Sequence, residues 1–232
     1  MSRPSSGIDL KLIHAGSQLV REKGLYGLGV RAACRAAGVN TGMFHYYFKS
    51  KNEFSKAVLK NLYGEFMAYF RAAIEGESCA ALKLRAALVA LAKFVRGSRR
   101  VLPSLLADVI LGNRAAFLFV RGNFTEHIGL ITGLIKDWQR EGAAKSYCLE
   151  TIISALVPPM IFPALALSAL EKNGVKTAFG RPLAKMEEAM LSDAAIEEKA
   201  ALLLEAFQGS RQNNMSIWRP RFEPDARRDE GA

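Results

Sequence analysis

At 232 residues, half of them hydrophobic, the chain is long enough to bury a sizeable core, in one large domain or in a small one followed by a larger one. Its three cysteines, Cys34, Cys79 and Cys148, match neither a zinc-ligand spacing nor a redox pair, which excludes a disulfide framework and favours a reducing cytoplasm. The net charge of +10 is uneven: residues 1–63 hold 10 Lys or Arg against 3 Asp or Glu, a balance that points to a polyanionic partner rather than to a charge spread for solubility.

The opening MSRPSSGIDLKLI lacks the apolar stretch and cleavage site of a secretory signal. Ile8, Leu12, Ala15 and Leu19 then recur at helical spacing up to Gly24, predicting a first helix over 8–23. Gly27 and Gly29 mark a turn. Val30, Ala33, Cys34 and Ala37 give one face of a short second helix that stops at Gly38. Asn40 or Thr41 caps a third helix through Tyr47, and Ser50 with Glu53 forms a capping box for a long fourth.

Two short helices joined through Ala37-Gly38-Val39-Asn40 are what a helix-turn-helix needs: the glycine permits the tight turn and the valine plugs the core beneath it. The run FHYYF, residues 44–48, then serves two environments. Phe44 and Phe48 turn inward, while Thr41, Gly42, His45 and Tyr46 face outward at spacings of three and four. Short or planar groups of that kind enter a major groove without clashing, and Tyr47, Lys49 and Lys51 lie at the rim where phosphates run.

Residues 24–54, GLYGLGVRAACRAAGVNTGMFHYYFKSKNEF, resemble the TetR-type bacterial transcription regulators in the AGV turn, the aromatic cluster ending in Phe48 and the Lys-Ser-Lys-x-Glu start of the next helix. The resemblance implies an all-α chain: an N-terminal three-helix DNA-binding domain over 1–54 and a larger helical ligand-binding and dimerisation domain over 55–209; the polar, Pro- and Arg-rich composition of 210–232, which includes Trp218, reads as a loose tail. It implies a base or phosphate contact for Arg31, a groove-facing helix start at Thr41, Gly42 and Met43, and backbone contacts for Tyr46, Tyr47 and Lys51. His45 stands where the family usually has tyrosine, and Leu28 and Gly29 where it often has Thr or Ser. A protonated imidazole beside phosphates would tighten DNA binding as the pH falls, but a neutral hydrogen-bonding histidine is the preferred reading.

Beyond the head, apolar helical runs are expected at 80–96, 101–111, 114–141, 147–171 and 194–208, with no strand-like alternation of useful length. Residues 152–170 are nineteen positions without a charge, long enough for a membrane span, yet Pro158, Pro159 and Pro163 favour a buried helix broken or kinked at the prolines. The residues expected to line a cavity are Phe66, Phe70, Phe94, Phe117, Phe124, Trp138, Met160 and Phe162, each of which is otherwise ordinary core. Few polar groups lie among them, so the expected effector is small and apolar or aromatic. The dimer surface is expected on 147–171 and 194–208, including Leu203 and Phe207.

His14, His45 and His127 fall in separate helices, and no nucleophile elbow, phosphate loop or metal-ligand spacing accompanies them; no catalytic residue, cofactor or metal is expected. Cys79 near a loop is a minor candidate for a redox switch. The reading is a cytoplasmic, homodimeric, ligand-responsive repressor on a palindromic operator in double-stranded DNA, without membrane attachment. Two other classes stand beside it: a sequence-tolerant architectural DNA-binding protein without a ligand, and a membrane-associated regulator using residues 152–170.

Overall fold

A computed structural model describes residues 7–209, so the tail of 210–232 and Trp218 lie outside the described residues. The chain is all-α. Helices α1 (Ile8–Lys23), α2 (Val30–Ala37) and α3 (Thr41–Tyr47) form the head, with a single 3-10 turn at Leu25–Gly27, and α4 (Lys51–Glu75) runs out of it. The body follows as α5 (Ala80–Gly97), α6 (Leu102–Ile110), α7 (Arg114–Asn123), α8 (Glu126–Arg140), α9 (Leu149–Lys172), α10 (Leu183–Leu191) and α11 (Asp193–Phe207).

The head's helices end and begin where local chemistry dictates. Gly38 closes α2 in the left-handed region at φ 65°, and the N–H groups of Gly38 and Val39 bond back to the carbonyls of Arg35 and Cys34 at 3.2 and 2.9 Å. A side chain there would be strained, which is why glycine occupies the turn. Asn40 caps α3 by accepting from Gly42 N at 2.8 Å. Ser50 Oγ caps α4 by accepting from Glu53 N at 3.1 Å, while Glu53 reaches back to Lys49 N at 3.2 Å.

Two separate clusters of buried side chains hold the chain together. The head cluster contains Leu12, Val20, Leu28, Phe44, Phe48, Phe54 and Val58. Phe44 is its hub, with ring centroids 5.5 Å from Phe48 and 5.1 Å from Phe54. The body cluster is larger and runs from Tyr63, Phe66 and Phe70 on α4 through α5, α8 and α9 to Leu204 on α11. Helix α4 therefore belongs to both. Its first turns bury Phe54 and Val58 in the head, and its later turns bury Phe66 and Phe70 in the body.

Three sequence expectations are corrected. The run 114–141 is two helices, because Phe124 leaves helical geometry at φ −131° and Asn123 Nδ2 donates to Phe119 O at 2.7 Å instead of supporting continuation. A further helix, α10, precedes α11 and follows an antiparallel pair of two-residue strands, β1 (Thr177–Ala178) and β2 (Arg181–Pro182). Helix α9 is unbroken despite Pro158, Pro159 and Pro163. Each proline removes a backbone donor at a cost of about 3 kcal/mol, but Ile152, Leu156, Met160, Ala164 and Leu167 bury one full face and hold the helix together. It is one-sided, not enclosed: Phe162 is 67% exposed. Among the described residues, α9 alone is long and apolar enough to cross a membrane, and it packs against α5, α8, α10 and α11.

Candidate DNA-binding face and ligand cavity

On α3 the buried and exposed positions separate as its aromatic run requires. Phe44 and Phe48 are sealed into the head core, whereas Thr41, Gly42, Met43, His45 and Tyr46 are exposed, Tyr46 to 71%. Arg31 on α2 and Lys51 at the start of α4 are exposed as well. Tyr47 is half-buried and packs on the head core, its ring 5.1 Å from that of Tyr46 and edge-on to it. The outward set joins short and planar groups and the flexible Met43 on α3 to the cationic Arg31 and Lys51 on its neighbours, and the rear of α3 packs on Phe48 and Phe54 through Phe44. Such a face fits a groove at its centre and phosphates at its edges. Asn40, which caps α3, is exposed at the tip of the same helix beside Thr41 and Gly42.

The second site is a cavity of about 360 Å³ with an almost wholly apolar wall. It is bounded by α4, α5, α6, α7, α8 and α9. Of the eight side chains expected to line it, Phe94 and Phe124 do so. Phe66 backs the wall, stacked on Phe94 at 4.2 Å. Phe70, Trp138 and Met160 are instead sealed in the body core, and Phe117 and Phe162 point outward, 46% and 67% exposed. The aromatic residues were the conspicuous candidates in the sequence, but aliphatic positions of α6 and α9, such as Leu102, Leu105, Val157 and Ile161, form much of the lining.

Polar chemistry in the wall centres on a pair that sequence separates by 64 positions. Tyr63 on α4 and His127 on α8 meet through the phenol oxygen and Nδ1 at 3.0 Å, and the backbone N–H of His127 donates to the same phenol oxygen at 3.3 Å. Both line the cavity. Burial pushes the Tyr63 phenol above its ordinary range and so keeps it protonated. Burial also lowers the His127 imidazole, against the opposing pull of neighbouring Glu126, whose carboxylate is paired with Arg71.

A lowered folded value has a definite consequence for stability. Below the unfolded value of 6.5 the unfolded chain takes up a proton at His127 more readily than the folded chain does. This contribution is therefore intact above that pH and is lost as the pH falls from there through the lowered folded value. Thermal melts at about pH 7.5 and about pH 5.5 are expected to show a smaller acid loss in His127→Gln than in the parent chain. Equal losses in the two proteins would contradict this assignment.

The cavity and the head share residues. Leu62 and Val101 belong to the head's buried cluster, Leu59 packs against it, and all three line the cavity. Val101 sits in the turn between α5 and α6, where Arg100 donates to the carbonyl of Glu22 at the end of α1. Gly24, next along, lies against the same turn so closely that a Cβ on it would stand 2.9 Å from the carbonyl oxygen of Arg100. One residue earlier, the Arg99 carbonyl accepts from buried Ser168 on α9 at 2.7 Å, and the Arg99 side chain pairs with Glu187 of α10. The turn at 98–101 thus ties α1, α9, α10 and the cavity wall to one short piece of backbone.

Cys79 is exposed just ahead of α5, and Cys148 is exposed with its Sγ 2.9 Å from Thr151 Oγ1. Leu203 and Phe207, expected on a dimer surface, are half-buried and pack against the body core, and Leu202 beside them is 65% exposed.

Residues 12–58 match the family of bacterial regulatory proteins, tetR family. No curated protein matches the chain in sequence. Among solved structures, a TetR transcription regulator from Haloarcula marismortui is 16% identical with a TM-score of 0.66, over 88% of this chain and all of that one. The transcriptional regulator FadR from Bacillus subtilis, solved in complex with stearoyl-CoA, is 16% identical with a TM-score of 0.60, over 85% of this chain and 98% of that one. The superantigen PfiT has the same TM-score of 0.60 at 18% identity, over 90% of this chain and all of that one. At these identities the structures show a shared fold; the family comes from the head. Residues 12–58 thus match the N-terminal helix-turn-helix DNA-binding domain of the tetR family of bacterial regulatory proteins, and the rest of the chain shares the all-α fold of the solved TetR-type regulators.

Proposed function

We propose that the chain is a cytoplasmic, homodimeric repressor that binds a palindromic operator through α3 and is released from it by a small apolar or aromatic effector held in the body. The domain division behind this reading is 1–54 for DNA and 55–209 for ligand and dimer. The observation that carries it is the sharing of Leu59, Leu62 and Val101 between the cavity wall and the head's core, because a ligand in the cavity then touches the residues that seat the DNA-binding helices. A bound ligand shifts the head's position only as far as it prefers one arrangement over the other. The acyl chain of the stearoyl-CoA bound by the Bacillus subtilis regulator supports an apolar occupant.

In a dimer, two copies of α3 placed roughly 34 to 36 Å apart enter successive major grooves. Arg31 and the start of α3 at Thr41, Gly42 and Met43 read or position the bases, with His45 beside them. Tyr46, Tyr47 and Lys51 hold the backbone. The protomers meet on the outward faces of α9 and α11, where Phe162 and Leu202 present apolar surface on two helices that pack together.

The test is an anisotropy titration of the protein on DNA flanking its own gene, repeated against a panel of lipophilic compounds. An effector is expected to weaken binding by roughly 5- to 150-fold. If DNA binding is sequence-specific and no compound in the panel moves it, the ligand half of the reading fails while the DNA half stands.

A further inference from the structure

The reading of the cavity as an effector site says little about the effector's charge, but the hydrogen bonding of its wall does. The Tyr63 phenol oxygen already accepts from the His127 backbone N–H. Its own proton has His127 Nδ1, at 3.0 Å, as its acceptor among the described residues. Were Nδ1 the donor instead, the phenol oxygen would accept twice and its proton would have no partner in the wall. Nδ1 therefore accepts, and a neutral imidazole with an accepting Nδ1 carries its hydrogen on Nε2. That Nε2–H has no protein partner among the described residues, and its ring lines the cavity. The other lining hydroxyls are Thr132, which donates into its own helix at Ile128 O, and Ser98 at the junction turn.

Among the described residues, no Lys, Arg, Asp or Glu lines the cavity. A carboxylate or phosphate brought into such a wall would lose its hydration with no cation to replace it, and burial already disfavours charging His127 to supply one. A carbonyl on an apolar body loses far less and satisfies the His127 Nε2–H in the cavity wall.

Resting on the reading of the cavity as an effector site, we propose that the Tyr63–His127 pair is its polar anchor. The effector is then an uncharged lipophile with a single hydrogen-bond acceptor, an ester or ketone carbonyl on an apolar chain or ring, in preference to a carboxylic acid. His127 donates to the carbonyl through Nε2, Tyr63 fixes the tautomer, and the aliphatic residues of α6 and α9 hold the rest by area.

Calorimetry on the full chain with methyl decanoate, 2-undecanone and decanoate at about pH 8 tests this with matched apolar bodies. The ester and ketone are expected to bind at least about tenfold more tightly than decanoate. His127→Phe keeps the ring's bulk and is expected to weaken the ester by about threefold to tenfold, the worth of one hydrogen bond. Tyr63→Phe, a smaller change, is expected to weaken it in the same direction and guards against a folding defect in the first variant. Decanoate binding as tightly as the ester, or an ester affinity unchanged in both variants, would overturn the anchor while leaving the cavity an effector site. Failure of all three probes to bind would overturn the anchor and the effector reading together.

Discussion

Phe44→Ala is expected to abolish DNA binding by unfolding the head while leaving the body folded. The side chain is fully buried, is the hub of the phenylalanine cluster, and carries α3 on its back. Deleting a buried phenylalanine costs about 3 to 5 kcal/mol, which is comparable to the whole stability a segment of this size derives from its own core. Operator affinity should fall more than a hundredfold, and urea melts should show an early loss of helix followed by a second transition from the body cluster. Tyr46→Ala is the matched control, being exposed: its melt should lie within about 0.5 kcal/mol of the parent, with weakened DNA binding. A single unshifted transition in Phe44→Ala, or intact operator affinity, would show that the cluster does not hold α3 in place.

Arg100→Ala should separate binding from response. The guanidinium is at the surface, so its loss should change stability little, but it joins the 98–101 turn to the end of α1. DNA affinity is expected to stay within about threefold of the parent while the effector-induced weakening shrinks from the 5- to 150-fold range towards none. Gly24→Ala probes the same contact from the other side. Its φ of 70° with ψ −177° is accessible essentially to glycine alone, and the new Cβ would meet the Arg100 carbonyl. This variant is expected to lose about 1 to 3 kcal/mol of stability and to displace the turn. If the effector acts on Arg100→Ala as strongly as on the parent, the signal travels along α4 without help from the turn.

Most of the head was legible in the sequence, because its elements are set by local rules. Gly38, Asn40 and Ser50 each act on their immediate neighbours, and Phe44 and Phe48 are separated from Tyr46 by helical phase alone. The body was less so. Helix α10 carried its periodicity in Leu183, Met186 and Met190, all packed on the core, but behind Arg181 and Pro182 it was not recognised as a helix. The prolines of α9 signalled a break, and burial of its one apolar face outweighed them. The cavity was hardest, since no local rule distinguishes Phe94, which lines it, from Phe70, which is core; the difference lies in which helices meet around an unfilled space. By sequence His127 stands apart from the other histidines in its own helix, with no catalytic or metal-ligand spacing to mark it. Its partner, Tyr63, comes from another helix, and their meeting is a property of the fold.

The measurement that bears most directly on the central claim is a titration of the purified protein against DNA flanking its own gene and against a scrambled duplex, across several salt concentrations. Base readout by α3 predicts a large affinity ratio between the two that persists as salt rises, on top of a shared decline from counterion release. Equal affinities that collapse together with salt would mean that the exposed face of α3 meets phosphates alone, and would contradict the account.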